Sequence, residues 1–150
     1  MTAKEMAQVL GVIRANLPSV FLNQTPEDAR FMATEWAQHF AHDDPEIVLA
    51  AARTYCYRTE DRKNFPTPGN IRAIYEELRR MIDEVSAGMP NFGAKVPKVV
   101  SSMILRRGIN EYERLYHEPH PLMVIGGAGN ENKRLTTLLH ATRMLPKLTT

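Results

Sequence analysis

The chain has one cysteine among its 150 residues, and it has no long apolar run. The single thiol, Cys56, cannot form a disulfide within the chain, and the amino-terminal residues lack the basic, apolar and small-residue zones of a signal peptide. No apolar stretch approaches the ~20 residues that a membrane-spanning helix needs. These absences predict a cytoplasmic protein that does not associate with membranes.

The sequence also lacks the motifs of common catalytic and metal sites. The segment Gly126–Asn130 is rich in glycine, but no Gly-Lys-Ser/Thr ending follows, and Lys133 lies too far along the chain to act as a phosphate-loop lysine. His117 and His120 have a spacing that metal ligands use, but two prolines beside them interrupt a helix there. We therefore expect no enzymatic activity, no cofactor and no bound metal.

Charge is distributed unevenly along the chain. Residues 1–88 contain 10 Lys/Arg and 13 Asp/Glu, whereas residues 89–150 contain 9 and 4, so the two parts have net charges of −3 and +5. This asymmetry favours an acidic partner for the carboxyl-terminal part, either nucleic acid or an acidic protein surface. A solvated tail with a chance surplus of base is the alternative.

Four apolar stripes at helical spacing predict four helices in the first 88 residues. The first helix runs from about Thr2 to Leu17, the second and third begin after Thr25 and Asp44, and the fourth runs from Pro68 until glycine and proline stop it. No alternating β pattern of any length is present. The pattern therefore predicts an all-α fold, with a compact antiparallel four-helix bundle over residues 2–87.

A change of character after the fourth helix divides the chain. Residues 89–97 contain repeated helix breakers and no hydrophobic period, which is typical of a linker. We predict a helical bundle domain at 1–88, a linker at 89–97, and a basic, flexible and partly helical partner-binding region at 98–150.

Two helices are predicted within the carboxyl-terminal region. The first covers Val99 to Tyr116, although Gly108 interrupts its apolar stripe. A long connection from His117 to Gly129 follows. The second helix, about Glu131 to Leu145, is basic and has a leucine stripe, which is typical of a docking element. Packing of this helix back on the bundle is the alternative.

These helices contain the candidate binding residues. The docking pattern assigns partner contacts to Arg134, Leu135, Leu138, Leu139, Arg143 and Leu145. If nucleic acid is bound, the basic half predicts contacts from Arg106, Arg107 and Arg114.

The segment from Phe65 to Gly69, Phe-Pro-Thr-Pro-Gly, is the most informative local pattern. Pro66 and Pro68 force a turn, and Thr67 can cap the helix whose first residue is Pro68. Phe65 can fold back on an apolar residue of the first turn, such as Ile71. The alternative interpretation is simply a well-formed helix start.

The ordered features of residues 5–85 resemble the phage replicative-helicase loader/inhibitor family. They are a first helix that ends before a proline, a short helix that contains Trp36, the sequence Asp44–Ala52 (DPEIVLAAA) and the sequence Phe65–Ile71 (FPTPGNI) before the last bundle helix. The segment Phe65–Gly69 is also similar to a stretch in the lambda-type P loaders, which serve the same step of phage replication by another architecture.

The resemblance implies a protein without ATPase activity that binds a hexameric DnaB-type helicase of host or phage. Such a protein restrains the helicase while delivering it to the origin, and an origin-binding initiator or another replisome protein then displaces it. In that family the helical amino-terminal domain is well folded, and a flexible carboxyl-terminal region carries much of the helicase contact.

Two other functions remain open. A small phage DNA-binding or regulatory protein would use the basic carboxyl-terminal half directly on DNA, and its binding would weaken steeply with added salt. An enzyme with an unrecognised active site would show turnover with nucleotide.

Overall fold

The computed structural model describes residues 1–58, 65–89 and 95–124, and within these ranges it is helical with no strand. The helices are α1 (Ala3–Asn16), α2 (Pro26–His39), α3 (Pro45–Arg58), α4 (Pro68–Ser86), α5 (Lys98–Tyr116) and α6 (Pro121–Val124), and a short 3₁₀ helix (Pro18–Phe21) follows α1. The predicted all-α class is confirmed. The predicted starts of α1 to α5, and the predicted ends of α1, α4 and α5, agree with those observed to within one or two residues.

The contacts divide the chain into two compact units. The first unit comprises Met1–Leu78 and Lys95–Pro97, and the second comprises Arg79–Ala94 and Lys98–Thr150. This division falls within α4, ten residues before the boundary at residue 88 that composition indicates. The predicted linker is also divided, because its last three residues group with the first unit.

The first unit is built from helices that begin in the same way. Thr2 and Glu5 exchange hydrogen bonds in a capping box at the start of α1, and Thr25 and Asp28 do so at the start of α2. Each box satisfies two backbone N–H groups that no helical carbonyl can reach. Local sequence therefore determines where both helices start.

The core of the first unit lies where α1 meets α2 and α3. α1 contributes fully buried Met6 and Ile13, and Phe40 at the end of α2 is also fully buried. α3 contributes buried small residues, of which Ala51 and Ala52 have no exposed surface. Alanine side chains at these positions are small enough for neighbouring helices to pack closely.

The second unit is organised around the end of α4. Gly88 has a φ of +85°, and its N–H donates to the carbonyl of Val85 at 2.9 Å while the N–H of Met89 donates to Glu84 at 2.9 Å. This left-handed ending satisfies the last carbonyls of the helix. Glycine is favoured here because other L residues are strained at positive φ.

His120 fastens the following segment to the same helix end. Its ring is fully buried, and Nδ1 accepts a hydrogen bond from the N–H of Leu122 at 3.1 Å. Nε2 therefore carries the proton and donates to the carbonyl of Val85 at 2.7 Å. The prediction that residues 117–129 form only a connection was wrong for its described part, because α6 forms there and Leu122 is buried.

Gly108 is the point at which α5 meets the end of α4. A Cβ atom at Gly108 would lie 2.4 Å from Cβ of Val85 and 3.1 Å from the carbonyl oxygen of Ile82. In the sequence, Gly108 interrupts the apolar stripe of this helix. In the structure it is buried, and it is what permits the close packing.

We predict opposite effects for alanine at two helical glycines. Gly108→Ala should lower the free energy of unfolding by about 1–3 kcal/mol, because a methyl group overlaps a β-branched side chain beside the backbone. Gly11→Ala should raise it by about 0.5–1 kcal/mol, because nothing lies within 4 Å of the added Cβ and alanine favours a helix. Urea denaturation followed by circular dichroism measures both, and a stabilised Gly108→Ala variant would contradict the close packing.

Candidate partner-binding surfaces

The turn before α4 carries the signature segment, and its residues cap the helix. The Oγ1 atom of Thr67 accepts a hydrogen bond from the N–H of Asn70 at 3.2 Å, and Oδ1 of Asn70 accepts one from the N–H of Thr67 at 2.9 Å. Pro68 is the first helical residue, where a missing N–H costs nothing. The predicted cap at Thr67 is confirmed, and Asn70 completes it in the manner of a capping box.

Phe65 anchors this turn through aromatic contacts with residues far away in the sequence. Its ring centroid lies 4.9 Å from that of Phe21 and 5.7 Å from that of Trp36, both in edge-on geometry. Such pairs add about 0.5–1.5 kcal/mol beyond area burial. The sequence prediction considered only a partner within the first turn of α4, such as Ile71, which is itself fully buried.

Arg72, one turn into α4, holds the segment that follows α2. Its Nη2 lies 2.7 Å from Oδ2 of Asp43 and donates to the carbonyl of His39. The guanidinium also stacks on the ring of Phe40, with 4.6 Å from Cζ to the centroid. The pKa of Asp43 is lowered, chiefly by its hydrogen bond from Arg72. The contact with Asp43 joins residues 29 positions apart, so it has no local signal in the sequence.

A second arginine ties the end of α3 to α4. Both terminal nitrogens of Arg58 bind the carboxylate of Glu77, at 2.7 and 2.9 Å, and its Nε donates to the carbonyl of Lys95 at 2.6 Å. The side chains of Arg58 and Glu77 are each about one-quarter exposed. Arg58 binds both carboxylate oxygens of Glu77, so this glutamate joins two helices.

A shallow apolar groove runs between α1 and α2. One part has a volume of about 280 Å³ and the next about 100 Å³, and both parts are bordered by Ala7 and Ala29. Phe31 and Leu22, which are 68% and 80% exposed, also belong to this unit. The groove can receive apolar side chains, but its lining contains no histidine, cysteine or carboxylate for catalysis.

The solvent-facing side of α5 carries the residues predicted to contact nucleic acid. Arg106 and Arg114 are exposed, and Arg107 is half-buried. Arg114 binds the carboxylate of Glu111 with two nitrogens, at 2.6 and 2.9 Å, and this hydrogen bonding lowers the pKa of Glu111. The three arginines are therefore on one helix, but they differ in exposure.

The predicted helicase-binding residues lie outside the described residues. These are Arg134, Leu135, Leu138, Leu139, Arg143 and Leu145, and the glycine-rich segment at 126–130 also lies outside them. Their assignments stay predictions.

The two histidines that were considered as metal ligands lie in different environments. His120 uses both ring nitrogens in hydrogen bonds, whereas His117 is exposed with a φ of 55°. Over residues 1–58, 65–89 and 95–124, no group of three or more His, Cys, Asp or Glu side chains could hold a metal ion. In the same ranges, no helix combines the length and apolar character needed to cross a bilayer.

Comparison of the chain with family models, with curated proteins and with solved structures finds no match.

Removal of the cap at α4 should destabilise the first unit. We expect Thr67→Ala to lower the free energy of unfolding by about 1 kcal/mol, because the N–H of Asn70 loses its acceptor at the helix start. Thr34→Ala is the matched control, since Thr34 is exposed within α2 and its hydroxyl bonds only the carbonyl of Arg30. Chemical denaturation measures both variants, and equal losses would contradict a special role for the cap.

The Asp43–Arg72 pair should make stability depend on pH. The pKa of Asp43 is lower in the folded protein than the unfolded value of about 3.9, so the pair contributes fully above that value and is lost as pH falls through the folded pKa. Asp43→Asn should therefore lose less stability than the parent protein between pH 5 and pH 3. Urea midpoints across this range test it, with the exposed Asp83→Asn as control; parallel curves for the parent and Asp43→Asn would refute the coupling.

Proposed function

We propose that this chain is a phage DNA-replication protein that binds a hexameric DnaB-type replicative helicase. It acts as a loader or inhibitor of that helicase and has no ATPase activity of its own. Its site of action is the cytoplasm of a bacterial host. The resemblance of residues 5–85 to the loader/inhibitor family is the basis of this proposal.

The observation that supports the resemblance is that its separate features meet in one folded unit. Trp36 of the second feature contacts Phe65 of the signature segment, with 5.7 Å between ring centroids. Asp44, which begins the third feature, donates its N–H to the hydroxyl of Tyr75 in α4 at 3.3 Å. These contacts indicate that the features belong to one folded unit and not to separate segments of the chain.

In this proposal the two parts of the protein have different tasks. Helices α1 to α4 form a four-helix bundle domain that holds the helicase ring in an inactive, loading-competent state. The basic leucine-rich residues between 134 and 145 supply the main contact, by docking in a groove of the helicase. Their role is inferred from their sequence pattern.

Charge and apolar burial contribute differently to such a contact. Arg134 and Arg143 would accelerate encounter with an acidic helicase surface, since complementary charge acts mainly on the association rate. The leucines would supply most of the affinity, because apolar side chains buried at the centre of an interface carry most of its binding energy. An origin-binding initiator or another replisome protein would then displace the protein from the helicase.

We expect Leu138→Asp/Leu139→Asp to weaken helicase binding by at least about 2 kcal/mol, or roughly thirtyfold in Kd, because two buried side chains become charged. The control Leu22→Asp/Leu115→Asp makes the same change at leucines that are 80% and 50% exposed. Titration of the full-length protein against candidate hexameric helicases measures Kd, and circular dichroism monitors folding.

Unchanged helicase binding by Leu138→Asp/Leu139→Asp or by a deletion of residues 130–150 would refute the docking role of this segment. Retention of DNA alone, with no helicase subunit, when the protein is used as bait at physiological ionic strength would contradict the proposed function. A helicase-binding defect in the control variant as large as that in Leu138→Asp/Leu139→Asp would assign the effect to surface charge.

A further inference from the structure

One face of α5 points away from the side that packs within the second unit. Gly108 marks the packed side, because the end of α4 approaches it most closely. Arg106 and Asn110 lie two residues before and after Gly108, which places them on the opposite side of the helix at about 100° per residue. Both side chains are exposed.

Polar residues continue from Arg106 and Asn110 in both directions at intervals of four, in a row that winds by about 40° around the helix at each step. Residues four apart are neighbours on a helix surface, so they form a continuous stripe. All members are exposed except Ser102, which is half-buried. The stripe, called here the α5 basic face, consists of Lys98, Ser102, Arg106, Asn110 and Arg114.

The residue types of the α5 basic face match those that proteins use on duplex DNA. Arginine and asparagine make bidentate hydrogen bonds to guanine and adenine edges, and serine hydrogen-bonds to several bases. Lysine and arginine also neutralise phosphates. The helix Lys98–Tyr116 carries four Lys/Arg and two Glu, so its net charge is +2.

The dimensions of the face also fit a duplex. A helix with exposed side chains can enter the major groove, which is about 12 Å wide. Lys98 and Arg114 lie about 24 Å apart along the axis, since the helix rises about 1.5 Å at each of the 16 steps from one to the other. Long cationic side chains at the two ends can therefore reach phosphates on both sides of the groove, with Arg106 between them.

Duplex DNA fits this face better than single-stranded nucleic acid. Binding of single strands relies on aromatic side chains on which bases stack, and none of the five residues of the stripe is aromatic. We infer that the α5 basic face binds duplex DNA through the major groove. This inference goes beyond helicase binding and does not depend on it.

The ion pair at the end of the stripe should limit the affinity. Glu111 binds Nε and Nη2 of Arg114, two donors that a phosphate would also use, and the pair is largely exposed, with side chains that are 41% and 67% accessible. An exposed ion pair contributes little net stability, so a phosphate can compete with it. Removal of the Glu111 charge should therefore increase DNA binding, and this increase tests the inference.

The experiment measures binding of the full-length protein to a fluorescent 20-base-pair duplex by anisotropy, between 50 and 200 mM salt. Arg106→Ala should weaken binding about five- to tenfold and, if one phosphate contact is lost, reduce the slope of log K against log salt by about 0.9. Arg53→Ala, an exposed arginine of α3, removes the same charge from the other unit and should have little effect.

Glu111→Gln should strengthen duplex binding several-fold, which misfolding cannot explain. Glu35→Gln is its control, because Glu35 is exposed on α2 and the change in charge is the same. The inference requires both the loss with Arg106→Ala and the gain with Glu111→Gln, each relative to its control.

Other outcomes would overturn it. They are no duplex binding at 50 mM salt, tighter binding of a single strand of the same length, or binding that disappears with Lys133→Ala/Arg134→Ala while Arg106→Ala has no effect. Because no helicase is present in this assay, failure here leaves the proposed helicase contact untouched.

Discussion

The start of α4 is the constraint on which the arrangement of the first unit depends. Pro66 and Pro68 restrict the backbone on either side of Thr67. The exchange of hydrogen bonds between Thr67 and Asn70 then fixes the residue at which the helix begins. Phe65 then joins this start to the 3₁₀ helix and α2 through its contacts with Phe21 and Trp36. The turn before α4 is thereby attached to parts of the first unit that are distant in the sequence.

The contacts of α4 with the rest of the first unit follow from that anchor. Arg72 and Tyr75 lie one and two turns beyond the cap, where they meet the segment between α2 and α3. Arg58 makes the corresponding connection from α3 to Glu77. Arginine suits these positions because its planar fork binds a carboxylate with two nitrogens while its remaining donors reach backbone carbonyls. Charges that look like a solvated helix surface in the sequence are therefore structural ties between helices.

A few residues account for the close packing of the helices within the second unit. Gly88 ends α4, His120 binds the same helix end with both ring nitrogens, and Gly108 removes the side chain that would keep α5 away from Val85. Because α5 packs through its glycine-bearing side, the side chains of Lys98, Arg106, Asn110 and Arg114 are exposed to solvent. The basic face is thus a consequence of how this helix packs, and it gives the second unit a surface whose chemistry differs from that of the acidic first 88 residues.

Much of the secondary structure was accessible from the sequence. Helical periodicity, caps and helix-breaking residues are local properties, so the starts of α1, α2 and α4 follow from Thr2, Thr25 and Thr67, and the end of α4 follows from Gly88. The short helix α6 was missed, because four residues between a proline and glycines carry no period. Its formation depends on His120, whose partner Val85 is 35 residues away.

The sequence by itself determined the all-α class, the helix starts and the separation of acidic and basic charge. Only the tertiary structure decided which charges pair, that Phe65 packs on Phe21 and Trp36, and that Gly108 is a packing site. The physical reason is range: a cap or a stripe involves residues within one or two turns, whereas Arg58 with Glu77 and Arg72 with Asp43 join residues 19 and 29 positions apart. Contacts over such distances exist only after the helices have packed.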